Sequence, residues 1–248
     1  MKILITNDDG VFAPGIRALA KAFCKEHDVC VSAPDSQRSG AAHSITLTTP
    51  LRVKQVFLDD LPDVPTFAVN GTPVDCLKLA CGNLGVKPDL VISGINLGAN
   101  LGSDALYSGT VSAAMAAASE GIPAIAGSVC ANEPQNYAPV IQAIKDMIPN
   151  ALAHVCDVIN INAPDLPAEK IKGYRFTANS RQKYELAYVE REDPHKQKYY
   201  WLPTGKLTVC EPDEDSDERW VREGYIAIVP LKLDMTDYAC LRAWKEEA

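Results

Sequence analysis

Residues 2–23 read KILITNDDGVFAPGIRALAKAF, and this stretch decides the fold. Residues 2–6 (KILIT) are a short apolar run that stops at Asn7-Asp8-Asp9-Gly10. Pro14 then opens a segment in which Ile16, Leu19, Ala20 and Phe23 recur at i, i+3, i+4 and i+7. That spacing puts them on one face of a helix, and proline suits its first turn, where an N–H has no intrahelical partner. A strand, a polar loop and an amphipathic helix in this order open a parallel sheet covered on both faces.

The same alternation continues outward. Val29 to Ala33 reads as a second strand, and residues 45–58 (ITLTTPLRVKQVFL) and 65–69 as β-structure with Pro50 at a bend or an edge. Thr72-Pro73 reads as N-cap and N1 of a helix through Cys81. Asp89 to Ser93 is a third core strand, which runs into GINLGANLGSDALYSGT and then an Ala-rich helix with Thr110 as N-cap and Gly121 as C′. Strands at Ala124 to Gly127 and Val155 to Ile161 flank a helix from about Tyr137 to Met147. After about residue 170 the pattern changes. Tyr174 to Ala178, Leu186 to Arg191 and Lys198 to Leu202 read as strands of a hairpin extension. Residues 211–218 (EPDEDSDE) read as a solvated loop, and a last strand, Tyr225 to Val229, precedes a tail with Tyr238, Leu241 and Trp244. The expectation is one structural domain, with a core over 1–172 and an extension over 173–248.

Composition narrows the function. The chain has 248 residues, and 24 Lys+Arg against 32 Asp+Glu give a net charge of -8. That balance argues against a broad footprint on nucleic acid or anionic lipid. No stretch approaches the ~18 apolar residues of a membrane span, and residues 1–10 lack the apolar core of a secretory signal, so a cytoplasmic protein is expected. The eight cysteines are scattered, several in apolar runs, and read as reduced thiols acting as small hydrophobes.

Three loops carry the candidate chemistry, each after a predicted parallel strand, at the sheet edge where open α/β folds bind ligands. In the first, Asp8 and Asp9 are adjacent carboxylates. Partly buried together they take raised pKa values unless a cation lies beside them, and a divalent metal resolves that conflict; the alternative is a solvated Asp-Gly turn. The second loop, residues 35–40 (DSQRSG), offers hydroxyls for a hard cation and Arg38 for a phosphate, or is a polar surface turn. The third spaces Gly94, Gly98 and Gly102 four apart around Asn96 and Asn100. It ends in Ser108-Gly109-Thr110 at a helix N-terminus, where N–H groups and the dipole favour an anion. These glycines make neither G-x-G-x-x-G nor a P-loop, and no G-x-S-x-G elbow occurs.

The segments MKILITNDDGVFAPGIRALA, APDSQRSGAAHSITLT, VNGTPVDC, DLVISGINLGANLGSDALYSGTVSAAMAAASEGIPAIAGS and GYIAIVPLKLDMTDY resemble the signature segments of the SurE survival-protein family of metal-dependent nucleotidases. The resemblance runs from the first residue to about 237. It implies a Rossmann-like three-layer α/β fold with a mostly parallel central sheet, plus a C-terminal β-hairpin extension and tail that serve oligomerisation into a homodimer or homotetramer. It implies one divalent metal ion per subunit, Mg²⁺ or Mn²⁺, on Asp8, Asp9, Ser39 and Asn96, and a phosphate site on Gly40, Asn100, Ser108, Gly109 and Thr110. The implied reaction is hydrolysis of 5′-, and potentially 3′-, nucleoside monophosphates by a metal-activated water, with Asp8 and Asp9 as the catalytic carboxylates. The implied partner is a small-molecule nucleotide, with no membrane and no stable nucleic-acid complex. Two alternatives stay open: a phosphatase acting on a non-nucleotide ester or polyphosphate, and a module that senses a nucleotide without turning it over.

Overall fold

The computed structural model describes residues 1–181, 183–184, 188–202, 207–208 and 214–246. β1 (Lys2–Thr6) pairs in parallel with β2 (Asp28–Pro34) on one side and with β5 (Leu90–Leu97) on the other. Beyond β2 the sheet continues through β4 (Thr66–Val69) to β3 (Val53–Val56). Beyond β5 it continues through β6 (Ala124–Val129), β7 (Val158–Ala163), β13 (Ile226–Leu231) and β8 (Tyr174–Phe176). Only β3–β4 and β7–β13 are antiparallel in this sheet. The strand order therefore reverses at β1, and a crevice opens where the loops after β1 and β5 diverge.

Alternation along the strands builds two cores. Ile3, Ile5, Val31 and Ile92 face α1 (Pro14–Phe23) and α4 (Ala138–Leu152), where Ile16, Leu19, Phe23 and Ile144 pack against them. Leu4, Cys30 and Val91 face the other way, against Leu77 of α2 (Pro73–Gly82) and Val111 and Ala114 of α3 (Gly109–Ser119). This is the expected mostly parallel α/β arrangement with helices on both faces. The seven described cysteines are free thiols, and burial pushes Cys30 up to about 11 and Cys130 up to about 12. Those thiols stay protonated and unreactive at neutral pH.

Several boundaries differ from the sequence reading, each for a tertiary reason. Of residues 45–58, only Val53–Val56 form a strand. Residues 45–52 have no neighbouring strand and are held instead by side chains: Asp75 accepts from the Thr46 N–H and hydroxyl at 3.1 and 2.6 Å, and the Thr72 hydroxyl donates to the Ser44 carbonyl at 2.8 Å. β5 runs on to Leu97, because β6 offers partners up to Val129, and its register slips between Gly94 and Asn96. The N-cap of α3 is Ser108, whose Oγ accepts from the Val111 N–H at 3.0 Å, and not Thr110, which lies inside the first turn. α4 extends past Met147 through Pro149 to Leu152, since Ile148 and Ala151 continue its buried face.

In the C-terminal part, β10 (Val189–Glu192) and β11 (Lys198–Trp201) form an antiparallel hairpin, and β9 (Lys183–Tyr184) pairs with β12 (Leu207–Thr208). Residues 186–187 of the expected strand 186–191, Cys210, and residues 211–213 of the acidic stretch lie outside the described residues. Of the rest of that stretch, Glu214 and Asp215 are exposed as a solvated loop would be, but Ser216 and Asp217 are fully buried, against that expectation, and Asp217 begins α5 (Asp217–Arg222). The reason is that the Gly102 and Ser180 N–H groups, from distant parts of the chain, donate to its carboxylate. The tail forms α6 (Tyr238–Glu246), which buries none of its side chains. Among the described residues no helix is long and apolar enough to cross a membrane.

Candidate active site

Asn7 shapes the first loop: its amide donates to the Gly10 carbonyl at 3.0 Å and its Oδ1 accepts the Gly10 N–H at 3.2 Å. The closed turn sends the next two carboxylates toward β5 and α3. Asp8 is 6% exposed, and its Oδ1 accepts from the Thr110 hydroxyl at 2.7 Å. Burial raises its pKa, opposed by the Thr110 hydroxyl and by the backbone N–H groups of Asp8 itself, Thr110 and Gly109. Gly109 has to lack a side chain here, since a Cβ would lie 2.8 Å from Asp8 Cβ and 2.9 Å from its Oδ2. Asp9 turns to the other side, and its Oδ2 accepts the Leu97 N–H at 3.0 Å. Burial pushes Asp9 up to about 6, against the Leu97 hydrogen bond, and the neighbouring Asp8 charge adds to the rise.

A cleft of about 210 Å³ opens above them, lined by Asp8, Ser39, Gly40, Asn96, Asn100 and Ser108 together with Leu97, Asp104 and Tyr107. Six of the nine candidate residues thus meet in one place, from all three loops. The other three adjoin it: Asp9 accepts the Leu97 N–H, and Gly109 and Thr110 pack against Asp8. The second loop is held over the site by the Arg38 N–H donating to the Asp8 carbonyl at 2.7 Å and the Ala42 N–H donating to the Tyr107 carbonyl at 3.1 Å.

The sequence reading missed the support under Asn100. Its N–H donates to Asn162 Oδ1 at 2.9 Å and its amide nitrogen donates to Ser128 Oγ at 2.8 Å. Its carbonyl accepts from Asn160 and Asn162 at 3.0 and 3.2 Å. β7 reads VININA, and all six residues are buried. Two asparagines in a fully buried strand need polar partners, and that was the available signal. Asp104, the one carboxylate of the third loop, was also legible as a cleft candidate.

These donors fit a hard divalent cation. Two adjacent carboxylates, both raised by burial, are the charge arrangement that a cation relieves. Among the described residues no group of three or more His, Cys, Asp or Glu side chains could hold a metal, so neutral oxygens must complete the set. Asn96 is placed for that, because its amide nitrogen donates to the Gly98 carbonyl at 2.9 Å and the carbonyl end remains to coordinate. Ser39 adds a hydroxyl, and an all-oxygen set with room for water suits Mg²⁺ or Mn²⁺ better than a soft metal.

Fold and cleft together define a doubly wound α/β protein with a carboxylate-bearing, oxygen-rich site at its switch point. A family model described as Survival protein SurE matches residues 3–186. The chain is 43% identical over 256 residues to the 5′-nucleotidase SurE of Geobacter metallireducens, covering 99% of this chain and 96% of that one. It is 44% identical over 250 residues to the 5′-nucleotidase SurE of Geotalea uraniireducens, covering 99% and 98%. The crystal structure of the SurE protein from Aquifex aeolicus superposes with a TM-score of 0.81 at 36% identity, covering 100% of this chain and 99% of that one. The chain belongs to the SurE survival-protein family.

Proposed function

We propose that this chain is a 5′-nucleotidase, a phosphoric monoester hydrolase that releases phosphate from nucleoside monophosphates in the cleft over Asp8. The observation that carries the reading is the carboxylate pair at the β1/β5 switch point, both members raised by burial, beside the capped N-terminus of α3. The relatives that match over nearly the whole chain carry that activity in their names. Asp8, Asp9, Ser39 and Asn96 would hold one divalent cation per subunit, Mg²⁺ or Mn²⁺. When bound, such a cation neutralises phosphoryl charge and lowers the pKa of water.

The chain's own residues do the rest. Gly40, Asn100 and Ser108 line the cleft where the phosphate oxygens would lie, and the Asn160–Asn162–Ser128 network holds Asn100 before substrate arrives. Groups fixed in advance need no reorganisation as charge develops. Asp8 reaches the cleft, where a carboxylate oxygen is placed to accept a proton from the attacking water. Thr110 fixes its Oδ1, so rotation of the carboxylate is restrained.

Phosphate release from a panel of 5′- and 3′-mononucleotides, p-nitrophenyl phosphate and polyphosphate tests the substrate class. The expected result is the highest kcat/KM with 5′-mononucleotides. Faster turnover of the non-nucleotide esters or polyphosphate would contradict it, and nucleotide binding without release would point to a sensing module.

We assign residues 1–172 to the catalytic core and 173–248 to an extension that joins subunits in the cytoplasm. Supporting this, Tyr200, Trp201, Leu202, Met235 and Trp244 each expose more than half of their surface, at 57, 63, 62, 91 and 66%. A set of large apolar side chains in solvent is what a partner surface covers. Light scattering after size exclusion is expected to give a dimer or tetramer; a monomer at micromolar concentration would count against the assignment.

A further inference from the structure

We infer that Asp217, in the first turn of α5, is a positioning residue for the phosphate wall of the cleft, an assignment that rests on the reading of that cleft given above. Asp217 is fully buried. Its Oδ2 accepts the Gly102 N–H at 2.8 Å, across 115 residues of sequence. Its Oδ1 accepts the Ser180 and Glu218 N–H groups, both at 2.8 Å. Three backbone donors converge on one carboxylate, and a carboxylate suits the job because both of its oxygens accept and neither donates.

What this carboxylate holds is the third loop. Gly102 begins a short 3-10 turn, Gly102–Leu106, and this turn joins Asn100 to Tyr107 and Ser108. Asn100, Asp104, Tyr107 and Ser108 all line the cleft. The two ends of the segment are fixed, at Asn100 by the asparagine network and at Ser108 by the α3 cap. Asp217 fixes the turn between them. Gly102 has φ +49°, and a Cβ there would lie 2.3 Å from Ser180 Oγ and 2.7 Å from the Ser180 carbonyl. The turn is therefore pressed directly against the segment that Asp217 also binds, and a shift of α5 has to move Gly102.

The other end of this link is rigid as well. The Asp217 N–H donates to the Ala178 carbonyl at 3.0 Å, and Ala178 and Ser216 form an isolated bridge. Arg175 of β8 places its guanidinium 4.8 Å from the Trp220 ring centroid and 4.0 Å from that of Tyr225. Asp215 accepts from the Trp220 indole N–H at 2.7 Å and from the Thr177 hydroxyl at 3.0 Å. These contacts join α5 to β8, the outer strand of the sheet, so the geometry makes the extension a brace for the third loop and not only an attachment surface.

The test is Asp217→Asn, which keeps the shape but sets an amide N–H₂ against Gly102 or, flipped, against Ser180 and Glu218. A misplaced cleft segment is expected to lower kcat/KM for a 5′-mononucleotide by about 10–100-fold and to raise the inhibition constant of inorganic phosphate by about tenfold. The metal concentration for half-activation should stay within about threefold, because Asp8, Asp9 and Asn96 lie outside this segment. Arg222→Ala, an exposed change on the same helix, should leave kcat/KM unchanged and serves as the control for mere destabilisation. A cooperatively folded Asp217→Asn enzyme with kcat/KM and phosphate inhibition within twofold of wild type would overturn the assignment. If that variant does not fold, hydrogen exchange on the wild-type enzyme decides. Inorganic phosphate should slow exchange at residues 100–110 and also in α5, and slowing confined to 100–110 would overturn it. A wild-type enzyme that neither releases nor binds phosphate would instead overturn the reading of the cleft, and this assignment with it.

Discussion

Replacing Asp8 by Asn is expected to lower turnover of a 5′-nucleoside monophosphate by about 10²–10³-fold while leaving the fold intact. The loss follows from position: Asp8 lines the cleft beside the α3 N-terminus, and an amide supplies neither its charge nor its basicity. Retention of the fold follows from its partners. An Asn oxygen can still accept from the Thr110 hydroxyl, now 2.7 Å from Oδ1. Burial already disfavours the charge at this position, so a neutral isostere removes a penalty. Asp9→Asn should behave alike, since its oxygen can keep the Leu97 N–H. Circular dichroism and thermal unfolding check the first half of the expectation and steady-state kinetics the second. Near-normal turnover by both variants would remove the carboxylate pair from the mechanism.

Stripping the divalent cation with chelator is expected to abolish turnover, and its effect on stability should depend on pH with a definite sign. Burial raises both carboxylates in the folded chain, with Asp9 pushed up to about 6. A group raised on folding contributes its stability below its unfolded pKa, near 4, and loses it as pH rises through the folded value. In chelator, Tm should therefore fall between about pH 4 and pH 7. A cation held by the pair would favour its ionised form, so the gain in Tm on adding Mn²⁺ should be larger at pH 7.5 than at pH 5. A difference of roughly 1 kcal/mol would appear as about 2–4 °C in a chain of this size. Asp8→Asn should flatten the pH dependence and shrink the Mn²⁺ gain. An equal gain at both pH values, or none, would contradict the pairing of these carboxylates with a cation.

Much of this was legible from local pattern. Residues 2–23 announce strand, loop and helix because period and punctuation change within a few residues. The three loops that meet at the cleft could be named because each follows a parallel strand. The unread parts depend on contacts that no local pattern encodes. Ser108 and Thr110 are both good N-caps, and the choice between them is made by Asp8, which engages the Thr110 hydroxyl. ITLTT at 45–49 has the composition of a strand but no strand beside it, and Asp75 holds it by side-chain hydrogen bonds. EPDEDSDE is acidic enough to suggest solvent, yet Asp217 is drawn inside by three N–H groups, one of them 115 residues away. In each case a polar side chain acquires its role from a partner that only the folded sheet brings near.

A cation-dependent phosphomonoesterase site on Asp8 and Asp9 at the β1/β5 crevice should reveal itself in turnover. The most direct measurement is the initial rate of phosphate release from a 5′-nucleoside monophosphate by the full chain with Mn²⁺ or Mg²⁺, after chelation, and after the metal is restored. The expected result is release with metal, none in chelator, and full recovery on restoration. An unchanged rate in chelator, or nucleotide bound but not hydrolysed under all three conditions, would contradict it.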